Sequence, residues 1–155
     1  SLTPADDGAL IQMLTDPQIK QTYMLPDFPR REDAIPLARR LTELSHDASR
    51  FVRGMEEDGI LVGFLNDVEI AEDAIELGYA VHPDHWSRGF TTAALKLAIA
   101  QLFQNGFQTV LCGAFEENPA SIRVMEKAGM QKIEKSDEIE YRGRVHRCIY
   151  YSKRS

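Results

Sequence analysis

The sequence predicts a single α/β domain of the α+β kind, and three observations support this prediction. Amphipathic segments typical of helices alternate with short apolar runs typical of strands along the whole chain. No stretch of linker-like composition separates these segments, so residues 1–155 are expected to form one domain. Hydrophobic residues make up 43% and charged residues 27% of the chain, which is the balance of a globular protein with one core.

Four segments carry the marks of helices. Apolar residues recur in each at helical spacing, and Thr3 and Asn118 are candidate N-caps that each precede a proline. Gly106 and Gly129 supply helix stops. The predicted helices span residues 4–14, 31–45, 90–105 and 119–128, the last of them capped by Asn118 and closed by Gly129.

Six apolar runs predict strands. They cover residues 51–56, 61–67, 75–81, 108–115, 131–135 and 146–152. The turn at 56–59 joins the first two as a hairpin, and the acidic run 69–76 is interpreted as a solvated turn between strands. Cys112 and Cys148 lie inside strand-like runs, where a reduced thiol behaves as a small core residue. The loop 21–31, with Tyr23, Met24 and Phe28, either lines a substrate groove or packs on the core.

Charge and hydropathy exclude several classes of function. The net charge of −6 opposes general affinity for nucleic acid, which needs clustered cations. No apolar run has the length of a membrane span and the start carries no leader pattern, so we expect a cytoplasmic protein without a membrane partner. His82 and His85 lack a third ligand at a suitable spacing, so no metal site is expected.

The polar turn HPDHWSRGF connects a predicted strand to the strongest predicted helix. The first amides of a helix have no intrahelical partner and the helix dipole is positive there, so such a turn favours anions. Gly89 permits close backbone approach, and Arg88 adds a cation that can reach a diphosphate.

Three ordered blocks resemble the GNAT superfamily of N-acetyltransferases, in particular the branch similar to RimJ and RimL. They read ELGYAVHPDHWSRGFTTAALKLAIAQLF, ENPASIRVMEKAGM and EIEYRGRVHRCIYY. The resemblance implies a mixed, mostly antiparallel sheet that is splayed at its centre and flanked by about four helices. It also implies acetyl-CoA as co-substrate and an amine as acceptor.

The chain departs from the family pattern at two positions of the polar turn and at its start. Trp86 stands where a glutamine or arginine is usual, and Thr91 stands where a small residue is usual. The sequence also begins where members of the family have completed a first strand, so we expect that strand to be missing or displaced.

The resemblance implies the site residues as well. The residues that would bind acetyl-CoA are Tyr79, Ala80, Val81, Trp86, Ser87, Arg88, Gly89, Phe90, Thr91, Asn118 and Ser121. Backbone groups of residues 79–81 would hold the pantetheine and polarise the thioester carbonyl, as an oxyanion hole does. The catalytic residues that the resemblance implies are Glu140 as base and Ser121 as acid, and Tyr79 and Tyr141 are further candidate acids.

The base and the acceptor both stay open. Glu76, His82 and His85 are alternatives to Glu140 as base. A lysine-like amine needs a positioned base, whereas an α-amine hardly does, because its pKa of about 8 lies close to neutrality. The acceptor is expected to be a protein N-terminus or a small amine, and the protein a monomer or homodimer. The alternatives are a non-catalytic acyl-CoA binding or regulatory domain and an aminoglycoside-type drug acetyltransferase.

Overall fold

A computed structural model describes residues 1–21, 23–86 and 89–155. The chain forms two compact units. The first consists of Ser1–Asp67 and Tyr79–His85, and the second consists of Val68–Gly78 and Trp86–Ser155.

Six strands and four α-helices make up the regular structure of the described residues. The helices are α1 (Asp7–Leu14), α2 (Ile35–Ser45), α3 (Phe90–Gln104) and α4 (Pro119–Lys127). The strands are β1 (Val52–Glu57), β2 (Ile60–Ile70), β3 (Ala74–Val81), β4 (Thr109–Phe115), β5 (Gln131–Tyr141) and β6 (Arg144–Arg154).

The strands form one mixed sheet in the order β1-β2-β3-β4-β6-β5. β3 and β4 pair in parallel, while β1 with β2, β4 with β6, and β5 with β6 pair antiparallel. The predicted fold class, a mixed and mostly antiparallel sheet with four helices, is therefore confirmed.

The first unit has a core built from α1, α2, β1 and β2, with Leu10 and Phe64 among its fully buried side chains. Tyr23 packs edge-on to Phe64 at 5.5 Å between ring centroids, and its hydroxyl donates to Asn66 Oδ1 at 2.8 Å. Of the two interpretations of this loop, packing on the core holds for Tyr23. Met24 remains half exposed.

The second unit has the predicted buried strand β4 at its centre, and both α3 and α4 contact that strand. Ile75 and Leu77 of β3 lie opposite Val110 and Cys112 of β4, and all four side chains are buried. The Lys153 ammonium of β6 donates to the Ala128 carbonyl at the end of α4. The odd-numbered face of β6 therefore lies toward α4.

Several boundaries differ from the sequence prediction. The first two predicted helices each begin as a 3-10 turn, at Pro4–Asp6 and Arg31–Ala34, before α1 and α2 start. β5 and β6 are longer than expected, because their pairing continues through exposed, charged residues that carry little apolar signal. β2 also runs to Ile70 and takes up the start of the acidic segment.

The two cysteines are free and buried, as predicted. Burial raises the pKa of the Cys112 thiol to about 12. Among the described helices, none is long and apolar enough to cross a membrane.

Candidate active site

A glycine of the polar turn, Gly89, is the N-cap residue immediately before α3. Gly89 has φ 72°, a left-handed conformation that favours glycine, and a Cβ built there would meet no atom within 4 Å. Within the described residues, no side chain caps this helix start. The predicted cofactor residues Ser87 and Arg88 lie outside the described residues. Trp86, in the middle of the turn, is 39% exposed.

The parallel pairing of β3 with β4 covers only part of the two strands. The paired residues of β3 and β4 run from Ala74 with Thr109 to Leu77 with Cys112, whereas β4 continues through Gly113 to Phe115. Those last residues of β4 pair with β6 on the other side.

The predicted pantetheine-binding segment Tyr79, Ala80 and Val81 closes β3 and belongs to the first unit. Ala80 and Val81 are buried. The Ala80 carbonyl lies so close to Gly63 that a Cβ built on Gly63 would sit 2.7 Å from it.

Asn118 caps α4, as the sequence predicted. Its Oδ1 accepts from the Ser121 N–H at 3.3 Å, and Pro119 occupies the first helical position. The approach to this cap is fixed by the Asn118 N–H, which donates to the Phe115 carbonyl at 2.9 Å. The imidazole of His146 bonds the Glu117 carboxylate and stacks on the Phe115 ring at 4.3 Å between centroids.

A second group of polar side chains gathers on one face of the second unit's strands. The Tyr150 hydroxyl donates to Asp137 Oδ2 at 2.8 Å, and the Lys135 ammonium lies 4.4 Å from the centre of the Tyr150 ring. Strand register puts Tyr150 opposite Gly113 on β4, and Glu76 of β3 is paired with Leu111 of the same face. Lys135, Asp137, Tyr150 and Glu76 are called the Glu76 cluster below.

Glu76 is half-buried, and burial is the main reason why its pKa is raised. Lys135 acts in the opposite direction and lowers this pKa, while Glu69 and Asp137 raise it further. A carboxylate with a raised pKa accepts protons more readily, which suits a general base.

Glu140, the base implied by the resemblance, lies on the face of β5 opposite to Lys135 and Asp137 of the Glu76 cluster. It pairs with Val145, which shares the odd-numbered face of β6 with Lys153 and so lies toward α4. Ser121 is in the first turn of α4, so Glu140 and Ser121 lie on the same side of these strands. The Glu140 side chain is exposed.

The two histidines of the turn have acidic neighbours. His85 Nδ1 lies 2.5 Å from Glu57 Oε2, and His82 Nδ1 lies 3.6 Å from Asp84 Oδ2. No group of three or more His, Cys, Asp or Glu side chains within the described part of the chain is arranged to hold a metal ion.

Sequence reasoning considered Glu76 but missed Asp137, Lys135 and Tyr150. The period-two spacing of residues 135, 137, 139 and 141 on one strand and 146, 148 and 150 on the next was the available signal. This spacing alone did not reveal the group, because only the long-range pairing of β6 with β4 and of β4 with β3 brings these residues to the face of Glu76.

Comparison with known proteins identifies the family. The model of the acetyltransferase (GNAT) domain matches residues 1–131. The chain therefore belongs to the GNAT family and is an acetyltransferase.

Individual relatives agree with this assignment. An uncharacterized N-acetyltransferase of Bacillus subtilis, YoaA, is 24% identical over 136 residues, which cover 84% of this chain and 77% of the relative. The spermidine N-acetyltransferase of Vibrio cholerae, solved with CoA and spermine, superposes with TM-score 0.83 at 16% identity, over 99% of this chain and 92% of that one. A ribosomal-protein-alanine N-acetyltransferase of Brucella melitensis gives TM-score 0.77 at 18% identity, over 99% and 97%.

These structural likenesses, at such low identity, show the fold. They include more than one kind of acetyltransferase and so do not single out the RimJ and RimL branch.

Proposed function

We propose that this protein transfers the acetyl group of acetyl-CoA directly to a primary amine, either a protein N-terminus or a small-molecule amine. The observation that carries the proposal is the half-buried Glu76 carboxylate on β3 of a GNAT acetyltransferase, where burial raises the pKa of Glu76 in the direction that suits a proton acceptor. The solved Vibrio cholerae relative, named for an amine substrate and holding CoA, supports the same chemistry.

The cofactor contacts proposed for this chain follow the family pattern. The start of α3, with Gly89 in its left-handed conformation, would receive the diphosphate on the amides of Phe90 and Thr91. Trp86, Ser87 and Arg88 would flank it. The Asn118 side-chain amide would bond the pantetheine while its oxygen keeps capping α4, with Ser121 beside it. Backbone groups of residues 79–81 would bond the pantetheine and polarise the thioester carbonyl.

In the proposed reaction the amine nitrogen attacks the thioester carbon, the carbon–sulfur bond breaks, and CoA leaves as a thiolate. Only a neutral amine carries the lone pair that this step needs, so a base must take its proton. Glu76 fills that role better than Glu140, because burial raises the pKa of Glu76 whereas Glu140 is exposed. Ser121 or Tyr79 returns a proton to the thiolate.

Release of free thiol from acetyl-CoA tests the proposal, with peptide N-termini, polyamines, amino acids and aminoglycosides as acceptors. We expect Glu76→Gln to lose at least tenfold in kcat with KM for acetyl-CoA unchanged. Glu138→Gln is the matched control, because it removes an exposed carboxylate from the face of β5 opposite to the Glu76 cluster.

Three outcomes decide between the alternatives. Loss of turnover in Glu140→Gln, with Glu76→Gln fully active, would assign the role of general base to Glu140. Turnover with aminoglycosides alone would mark a drug acetyltransferase. Binding of acetyl-CoA without thiol release for any acceptor would support a regulatory acyl-CoA binding domain.

A further inference from the structure

The Glu76 cluster holds one cation among carboxylates, and a tyrosine connects its members. Lys135 and Asp137 are two residues apart on β5, so both side chains project from the same face of the strand. Tyr150 of β6 contacts both, through its ring and its hydroxyl respectively.

A glycine on β4, Gly113, leaves the space that the Tyr150 ring occupies. Gly113 lies directly opposite Tyr150, and a Cβ added there would meet Tyr150 Cε1 at 2.9 Å and Cys148 Sγ at 3.1 Å. The ring therefore lies over the backbone of β4, the strand that separates β6 from β3. Because the Lys135 ammonium lies 4.4 Å from the centre of this ring, it is on the same face of the sheet as Glu76.

We propose that Lys135 and Asp137 are positioning residues for the acetyl transfer, and that they act on the protonation of Glu76 in opposite directions. The inference rests on the proposed function only in making Glu76 the base. Lys135 favours the carboxylate form of Glu76, and Asp137 favours its protonated form.

The other ionisable groups around Glu76 either act in the same direction as Asp137 or stay neutral. Glu69 of β2 adds to the effect of Asp137. Tyr150 stays protonated, because burial and its bond to Asp137 raise its pKa. The thiols of Cys112 and Cys148 also stay protonated, because burial raises their pKa values. Lys135 is thus the one cation that the described surroundings of Glu76 supply.

A carboxyl-carbon NMR titration of protein labelled with 13C at the glutamate side-chain carboxyl tests this without knowledge of the acceptor. The Glu76 signal is assigned by its disappearance in Glu76→Gln. Lys135→Met is expected to raise the midpoint of the Glu76 titration by about half a pH unit, a typical effect of one nearby charge in a partly buried site. Asp137→Asn, which still accepts the Tyr150 hydrogen bond, is expected to lower it by a similar amount.

Two controls make the result specific to charge. Lys135→Arg keeps the cation and should leave the midpoint close to that of the wild type. Glu138→Gln removes a charge from the opposite face of the same strand and should also leave it unchanged.

Movement in the same direction for Lys135→Met and Asp137→Asn, or no movement in either, overturns the inference. If one of the two variants fails to fold, the sign of the other still decides, since each sign is fixed in advance. The proposed function fails separately, if the wild-type protein releases no thiol from acetyl-CoA with any acceptor, so the two failures are distinguishable.

Discussion

Asn118 allows two roles of one side chain to be separated experimentally. Its oxygen caps α4 through the Ser121 N–H at 3.3 Å, and its amide is proposed to bond the pantetheine of acetyl-CoA. Asn118→Ala removes both interactions. Asn118→Ser and Asn118→Asp keep an oxygen that can cap the helix but lose the amide N–H donors.

The two interactions of Asn118 have typical free energies, which give the expected sizes of the two effects. Loss of an N-cap costs about 1 kcal/mol, which corresponds to a Tm fall of about 3 °C in a domain of this length. Loss of one neutral hydrogen bond to the cofactor costs about 1 kcal/mol, or about fivefold in affinity. Asn118→Ala should therefore show both effects, and Asn118→Ser should show only the loss of affinity.

Thermal unfolding measures the first effect, and calorimetric titration with coenzyme A measures the second. Asn118→Asp should keep its Tm, because an aspartate at this position also suits the helix dipole. Wild-type affinity for coenzyme A in both Asn118→Ser and Asn118→Asp would refute the cofactor role and leave Asn118 as a helix cap alone.

Three further predictions concern stability and thiol access. Gly113→Ala should lower the free energy of unfolding by about 1–3 kcal/mol, because the new Cβ displaces Tyr150. Gly8→Ala in α1, which has open space around it, should raise the free energy of unfolding by about 0.5 kcal/mol. Urea denaturation measures both, and a free energy of unfolding that Gly113→Ala leaves unchanged would contradict the close packing. Burial raises the pKa of Glu76, so ionisation of Glu76 destabilises the folded protein as pH rises. Glu76→Gln should therefore have a higher Tm than wild type at pH 8 and an equal Tm at pH 4. A lower Tm for Glu76→Gln at pH 8 would contradict a raised pKa. Dithionitrobenzoate should label neither Cys112 nor Cys148 until the protein unfolds, and rapid labelling of the native protein would show that these thiols are accessible.

The sequence predicted the elements whose signals are local. α3 begins and ends within one residue of its predicted bounds, because its apolar stripe and the following Asn105-Gly106 stop need no distant partner. Asn118 was recognised as a cap for the same reason, since cap, proline and helix are adjacent in the chain.

The long β5–β6 hairpin was only partly predictable. Most side chains of β5 are exposed, so this strand shows no apolar alternation, and backbone pairing with β6 defines it instead. The hairpin turn places Arg142 at φ 53° beside Gly143, but that local signal does not reveal how far the strands extend.

The Glu76 cluster depends on long-range register and was therefore the least predictable feature. Four strands contribute to the face on which it lies, and only their mutual register brings Lys135 and Asp137 to the same face as Glu76. The resemblance implied Glu140 as base, and the structure shows that Glu76, an alternative already considered from the sequence, is more buried than Glu140 and lies on the opposite face of the sheet.

The most direct test of the proposed chemistry follows an isotopically labelled acetyl group from acetyl-CoA to the acceptor by mass spectrometry. We predict that the wild-type protein produces a labelled N-acetyl amine together with an equal amount of free CoA, and that Glu76→Gln produces at most a tenth as much. Labelled acetate without any labelled amine, or an equal yield of labelled amine from Glu76→Gln, would contradict the account.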